Sequence, residues 1–188
     1  MVYGASGNYG LVSGISNGSY ALLPLDIERD APFAHSWFTR LEGHETLLSM
    51  GNAEHEIEPS TLEGERSIMQ EFIQLEQAGE QITRMIIVDG KTVGVVWIEL
   101  LENHNVKPPS VHIMIGDPDY RGRGLGLLVM QSIIEYVRVH LHAGAVYSRH
   151  LSSNTAITKV LEKLGFEADG ESYADENGLV WQNVKLGL

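Results

Sequence analysis

The sequence predicts a single α/β domain of the α+β kind, with a mixed, mostly antiparallel central sheet of about six to seven strands flanked by about four helices. Three observations carry that prediction. Short apolar runs with period-two alternation recur between turn residues. Between them lie longer stretches with apolar residues at helical spacing. No repeat, low-complexity tract or linker interrupts the 188 residues, enough chain for one core.

The elements follow in order. Residues 1–19 are rich in Gly, Ser and Asn and read as a loose N-terminal arm, with the domain covering 20–188. YALLPLDI (20–27) reads as an edge strand that tolerates Pro24. Asp30 is placed to cap a helix beginning near Ala31-Pro32 and carrying Phe33, Trp37, Phe38 and Leu41. Residues 43–58 have no clean period and read as loop or broken helix. Ser60 and Glu63 have capping-box spacing ahead of an amphipathic helix (Leu62, Ile68, Met69, Phe72, Leu75) that stops at Gly79. RMIIVDGKTVGVVWIELLE reads as two strands around a tight Asp89-Gly90 turn. SVHIMI (110–115) is a further strand. Leu125, Leu128, Val129, Ile133 and Val137 mark a helix, AVYSRHL (145–151) a strand. Asn154 opens a helix with Ile157, Val160, Leu161 and Leu164 on one face, ended by Gly165. Two strands around a DENG turn close the chain.

Charge and composition exclude several function classes. The net charge is −12, from 25 acidic and 13 basic residues, so nucleic acid is not an expected partner, because a binder needs a basic footprint. No apolar run approaches a membrane span, and the N-terminus lacks the basic-then-apolar pattern of a signal peptide, so no membrane contact is expected. Cysteine is absent, which rules out disulfides and thiolate metal sites and fits a cytoplasmic location. The eight histidines show no metal spacing. An acidic surface attracts cations, amines among them.

DPDYRGRGLG (117–126) lies between a strand and a helix. The first N–H groups of a helix lack internal partners and its dipole favours an anion there. Glycines let a phosphate approach the backbone. Gly122, Gly124 and Gly126 therefore read as a diphosphate cradle, with Arg121 and Arg123 adding positive charge. The pattern is not a P-loop, because no Gly-Lys-Ser or Gly-Lys-Thr occurs. It is not the dinucleotide fingerprint either, because the glycines alternate as GxGxG.

Arg121-Gly122-Arg123-Gly124-Leu125-Gly126 resembles the [QR]-x-x-G-x-[GA] motif of the GNAT superfamily of N-acetyltransferases. NTAITKVLEKLGF (154–166) resembles that family's second signature, from Asn to Gly-Phe. The wording is most similar to the branch of ribosomal-protein N-terminal and spermidine acetyltransferases, over roughly residues 20–186. The resemblance implies acetyl-CoA as acetyl donor. Main-chain amides from Arg121 to Gly126, Leu125 included, would hold its pyrophosphate. The strand carrying Ile113 and Ile115 would pair with the pantetheine, the neighbouring strand at 145–151 splaying away, and Asn154 would meet the pantetheine or sulfur end. By family analogy a homodimer is expected.

The chemistry needs an amine without its extra proton, a donor to the carbonyl oxygen and stabilisation of the departing thiolate. A lysine-like amine with pKa ~10.4 is neutral in about one molecule in 2500 at pH 7, a cost of roughly 4.6 kcal/mol. A base is therefore useful. His112, on the strand before the loop, is the leading candidate, sharing a face with Ser110 and Met114. Glu99 on the preceding strand, on the face of Trp97 and Leu101, could attract the ammonium. The acid is open. Where the family often has Tyr or Ser, this chain has Leu161 and Ile157, leaving Tyr147, Ser152, Ser153 and Tyr173 unranked. The expected function is acetyl transfer to a primary amine, either a protein N-terminus, a polyamine or another small molecule. The competing expectation is a catalytically silent acyl-CoA-binding module acting as sensor or structural subunit.

Overall fold

The computed structural model describes residues 11–15 and 18–188, with side chains from Tyr20 onward. Most of the expected arm (residues 1–10, 16 and 17) lies outside the described residues. Within it, Leu11–Ile15 (β1) runs antiparallel to Gly18–Pro24 (β2). The chain continues through helices Ile27–Phe38 (α1), Gly43–Ser49 (α2) and Leu62–Ala78 (α3). Strands Gln81–Val88 (β3), Lys91–Glu99 (β4) and Ser110–Ile115 (β5) follow, then helix Leu125–His140 (α4), strand Ala145–Leu151 (β6) and helix Thr155–Leu164 (α5). Short strands Glu167–Ala168 (β7) and Tyr173–Ala174 (β8) precede Val180–Gly187 (β9).

The described strands form one nine-stranded sheet in the order β1-β2-β3-β4-β5-β6-β9-β7, with β8 also on β9. It is mixed and mostly antiparallel, as expected, and larger than expected by its edges. Two-residue strands such as β7 and β8 are too short to show alternation in a sequence. The β3–β4 hairpin turns at Asp89 and Gly90, both left-handed (φ 50° and 77°), as a tight hairpin needs.

Two helix starts differ from the sequence reading. Helix α1 begins at Ile27 and is capped by Asp26, whose side chain accepts from the Arg29 N–H. Asp30 sits inside the first turn, fully buried. It accepts from the Asp26 N–H (2.8 Å), Arg29 Nε and Nη2 (both 2.8 Å) and Thr92 Oγ1 (2.7 Å). Helix α3 is capped by Thr61, bonded to the Gly64 N–H, rather than by Ser60 with Glu63. Ser60 instead donates to the carboxylate of Glu65. Asn154 and Gly165 bound α5 as expected.

Period-two alternation sorts the sheet into two faces. Val96, Ile98, Val111 and Val146 pack beneath Leu125, Val129, Ile133 and Val137 of α4. Met85, Val95 and Met114 pack beneath Ala31, Ala34 and Trp37 of α1 and Met69 of α3. Trp97, Glu99 and His112 share that second face.

The parallel pair β5–β6 is the exception in an otherwise antiparallel sheet. Its register holds at Ser110↔Tyr147 alone. The Tyr147 N–H donates to Pro109 O (3.0 Å) and Ser148 Oγ to Val111 O (2.7 Å). Beyond Val111 the strands part.

Asp30 ties α1 to β4, so Asp30→Ala should lower the unfolding free energy by about 1–3 kcal/mol, the cost of stripping partners from buried polar groups. Urea unfolding followed by circular dichroism reads it; an unchanged midpoint contradicts the assignment.

Candidate active site

The turn after β5 is built from Asp117 onward. The Asp117 side chain is buried, accepts from the Asp119 N–H and pairs with Arg40 and Lys91. Burial raises its carboxyl; the bond from Lys91 and the charges of Lys91 and Arg40 outweigh this and hold it below the usual carboxylate range. Residues Pro118–Tyr120 make one 3-10 turn, and the Arg121 N–H closes it on Pro118 O. Gly122 and Gly124 then take left-handed φ of 71° and 84°, which only glycine adopts cheaply. Among the described residues, the N–H groups of Gly122, Arg123 and Gly124 find no internal partner. Those of the first turn of α4 lack one by geometry.

The glycines also face open space. A Cβ at Gly122, Gly124 or Gly126 would meet nothing within 4 Å. Gly126 is the telling one, because it is helical and has no positive φ. Neither conformation nor packing asks for glycine there, and glycine in a helix costs up to about 1 kcal/mol against alanine. A bare backbone at that position suits a group lying against it. Exposed donors, absent side chains and a helix N-terminus together fit a diphosphate.

Arg121 takes a different part from the one its charge suggests. Its Nε donates to Ile115 O (2.8 Å) and its Nη2 to Gly116 O (3.0 Å) and Thr46 Oγ1 (2.9 Å). The side chain thus braces the end of β5 and anchors α2. Burial lowers its pKa, with Glu42 and Asp117 opposing. Arg123 is exposed beside the cradle.

From the cradle a cleft of about 460 Å³ runs between α4 and α5, lined by Ile113, Ile115, Leu125, Gly126, Asn154 and Ile157 and covered by Thr46, Ser49 and Met50. One wall is the open edge of β5. Val111 O is taken by Ser148 and Ile115 O by Arg121. Alternation then leaves the main-chain groups of Ile113 facing the gap. Asn154 stands at the far end: its Oδ1 accepts from the Ile157 N–H (3.3 Å) and its Nδ2 donates to Ser49 O (3.0 Å), tying α2 to α5.

A second cavity of about 230 Å³ adjoins this end, sharing Ser49, Met50, Ile113, Asn154 and Ile157 and adding Trp97, Glu99, His104, His112, Arg149 and Trp181. The two residues singled out for proton handling meet here. The β4–β5 register sets Glu99 opposite Ser110 and Trp97 opposite His112. Ser110 Oγ lies 3.2 Å from Glu99 Oε2 and 3.1 Å from His112 Nε2, while Nε2 is 3.6 Å from that carboxylate. Burial raises the Glu99 carboxyl; the hydrogen bonding and charge of His112, with bonds from Asn103 and Ser110, outweigh it and bring it down to about 2. Glu99 is therefore an acceptor, and the one Ser110 proton goes to it. Ser110 Oγ in turn accepts from Nε2–H, which leaves Nδ1 as the basic nitrogen of a neutral His112. Trp97 stacks on the ring (centroids 5.2 Å apart, 22°) and fixes its plane.

The sequence reading set Ser110 on the face of His112 without giving it a role, and the α2 residues Ser49 and Met50 escaped it. Ser110 had a signal, two residues before His112 on one strand face. Residues 43–58 have no period, so α2 had none. Among the described residues, Tyr147, Ser152, Ser153 and Tyr173 line neither cavity. Tyr173 Oη points to His104 O and Asn183. Leu161 is buried in the core.

The family model for the acetyltransferase (GNAT) domain matches residues 21–167. The chain belongs to that family. Among similar proteins, an uncharacterized N-acetyltransferase of Methanocaldococcus jannaschii is 33% identical over 91 residues, which cover 43% of this chain and 36% of that protein. The matched segment thus spans about a third of that relative. The fold of this GNAT domain resembles Mycobacterium smegmatis RimJ in complex with CoA-disulfide (TM-score 0.79, 15% identity, 95% of this chain and 86% of that one). It also resembles the ribosomal-protein-S5-alanine acetyltransferase of Vibrio fischeri (TM-score 0.71, 16% identity, 94% and 96%). At these identities the likeness is one of fold.

Because Gly126 faces open space at a helical φ, Gly126→Gln should leave the GNAT domain's melting temperature unchanged or raise it slightly. CoA affinity should fall by more than about tenfold, the equivalent of 1.4 kcal/mol. Calorimetric titration with CoA, beside a thermal melt, reads both; retained affinity contradicts the cradle.

Proposed function

We propose that the chain is an acetyl-CoA-dependent N-acetyltransferase that acts on a primary amine by direct attack. The observation that carries this reading is the continuity of three features along β5. A donor-rich turn lies at its C-terminal end, its open edge passes Ile113, and the Glu99–Ser110–His112 network lies at its N-terminal end. Main-chain amides of Gly122–Gly126 would hold the pyrophosphate, Ile113 would pair with the pantetheine, and Asn154 and Ser49 would flank the thioester. Ile115, its carbonyl held by Arg121, contributes wall rather than a pairing carbonyl. Acetyl-CoA supplies the activated acetyl group.

The protein's own residues handle the amine. Glu99, ionised over the whole working range, attracts the incoming ammonium. His112 Nδ1 takes its surplus proton, and Trp97 and Ser110 hold the ring for that task. The new N–C bond replaces the C–S bond, the thiol leaves with one proton, and the remaining proton passes through His112 to solvent. No cysteine exists to carry an acetyl group, in keeping with direct attack. The same lack of cysteine supports a cytoplasmic setting. Among the described residues, no helix is long and apolar enough to cross a membrane.

One observation favours the silent-module reading. Leu161 and Ile157 occupy the positions where a hydroxyl donor is expected, and the four candidate donors lie elsewhere. Thiol release from acetyl-CoA with a panel of amines separates the two: CoA binding with no release for any amine supports the module.

The pH dependence follows from the network. Glu99, at about 2, does not titrate in the assay range. His112→Gln should lower kcat by about 10²-fold; an unchanged kcat removes His112 from the mechanism. The Glu99 pair has a lowered folded-state pKa. Its stabilisation is therefore complete above the ordinary 4.5 and lost as pH falls toward about 2. Glu99→Gln should flatten that part of the stability curve, read by urea midpoints between those pH values.

A further inference from the structure

The sheet face that carries Glu99 and His112 continues into a third cavity of about 460 Å³, enclosed by α1, α3 and the 50–61 segment. Its inner walls are apolar and in good part aromatic, with Trp37, Phe38, Phe72, Trp97, Met69 and Met114, while Glu56, Glu58 and Glu65 line its outer side. Trp97 and Met50 line both this cavity and the His112 cavity, so the two adjoin. The rings of Phe72, Trp97 and His112 form a continuous stack, with centroids 6.5 and 5.2 Å apart and 22° between planes at each step. A flat apolar group in the cavity would therefore lie beside the rings that lead to the base.

Trp37 is 3% exposed, its indole packed in the wall of the cavity. Its ring cannot shift toward β5, because Gly116 packs directly against it: a Cβ there would come within 2.2 Å of the indole. At the outer side Glu65 is buried, donated to by Ser60 and pushed up by burial against the opposing bond from Ser60 and charge of His35. That carboxyl is therefore a poor seat for a second ammonium.

We infer that the acceptor is a primary amine on a compact apolar, preferably aromatic, body, which fills this cavity while the amine meets Glu99 and His112. The inference rests on the acetyltransferase reading and names its substrate class. It disfavours polyamines and aminoglycosides, whose several cations and hydroxyls would be stripped of water against Phe38, Phe72 and Met69. An α-amine on an apolar residue has the required pattern, whether as a free amino-acid amide or as a peptide N-terminus.

The test uses the full chain with acetyl-CoA and measures thiol release. Phenylalaninamide should exceed glycinamide in kcat/KM by about 10- to 100-fold, the return on burying one apolar side chain. Spermidine should fall below both. A peptide beginning with Phe tells the two sources apart: turnover equal to the amide assigns peptide N-termini, and no turnover assigns free amines. CoA calorimetry checks that the protein is folded and its donor seat intact. Turnover that favours spermidine or glycinamide overturns the substrate class while leaving the acetyltransferase reading intact. Absence of both CoA binding and turnover defeats the acetyltransferase reading itself.

Discussion

The structure depends on the parting of β5 from β6. One register pair and the Ser148–Val111 bond fasten the two strands at the Ser110 end, and nothing fastens them beyond it. An unpaired strand edge is normally costly, because its amides and carbonyls need partners. Here the cost is confined to a few groups. Arg121 satisfies the carbonyls of Ile115 and Gly116, and Ser148 that of Val111. What is left open is Ile113, in the middle of the cleft. The same splay admits α4 and α5 to either side and aims the N-terminus of α4 at the cleft mouth. A site for an extended, phosphate-bearing molecule thus arises from a fault line in the sheet.

Charge is arranged around that line with economy. In a chain of net charge −12, the anion-binding turn relies on amides, with Arg121 turned inward as a brace. Acidic Glu99 lies at the opposite end, where a cation must be received. Ser110 links it to His112 and fixes which ring nitrogen is basic. The donor end and the acceptor end are therefore separated by the length of one strand. On the proposed reading the two sheet faces divide the labour: the α4 and α5 side would take the nucleotide and the α1 and α3 side the amine.

Much of this could be read in the sequence where local chemistry fixes the structure. The Asp89-Gly90 hairpin, the Gly79 and Gly165 stops and the Asn154 cap each follow from a residue's own conformational preference. The glycine turn was legible for the same reason, and strand alternation brought Glu99 and His112 to one face. What escaped depends on distant partners. Asp30 looked like a cap because the sequence does not reveal Thr92 beside it; the cap is Asp26. Arg121 looked like added charge for a phosphate because Thr46, 75 residues away, and the turn that folds Arg121 back onto Ile115 O are not visible in the sequence. The aromatic cavity was illegible because its walls come from α1, α2, α3, β3, β4 and β5 and it is covered by a segment without periodicity.

The central claim is that Ile113 and the turn at Gly122–Gly124 form one continuous seat for CoA. Amide hydrogen exchange followed by NMR, with and without CoA, tests it residue by residue. The account predicts slower exchange at Ile113, Gly122, Arg123 and Gly124 on saturation, with the α1–α3 face little changed. Saturating CoA that leaves those four amides exchanging as before would contradict it.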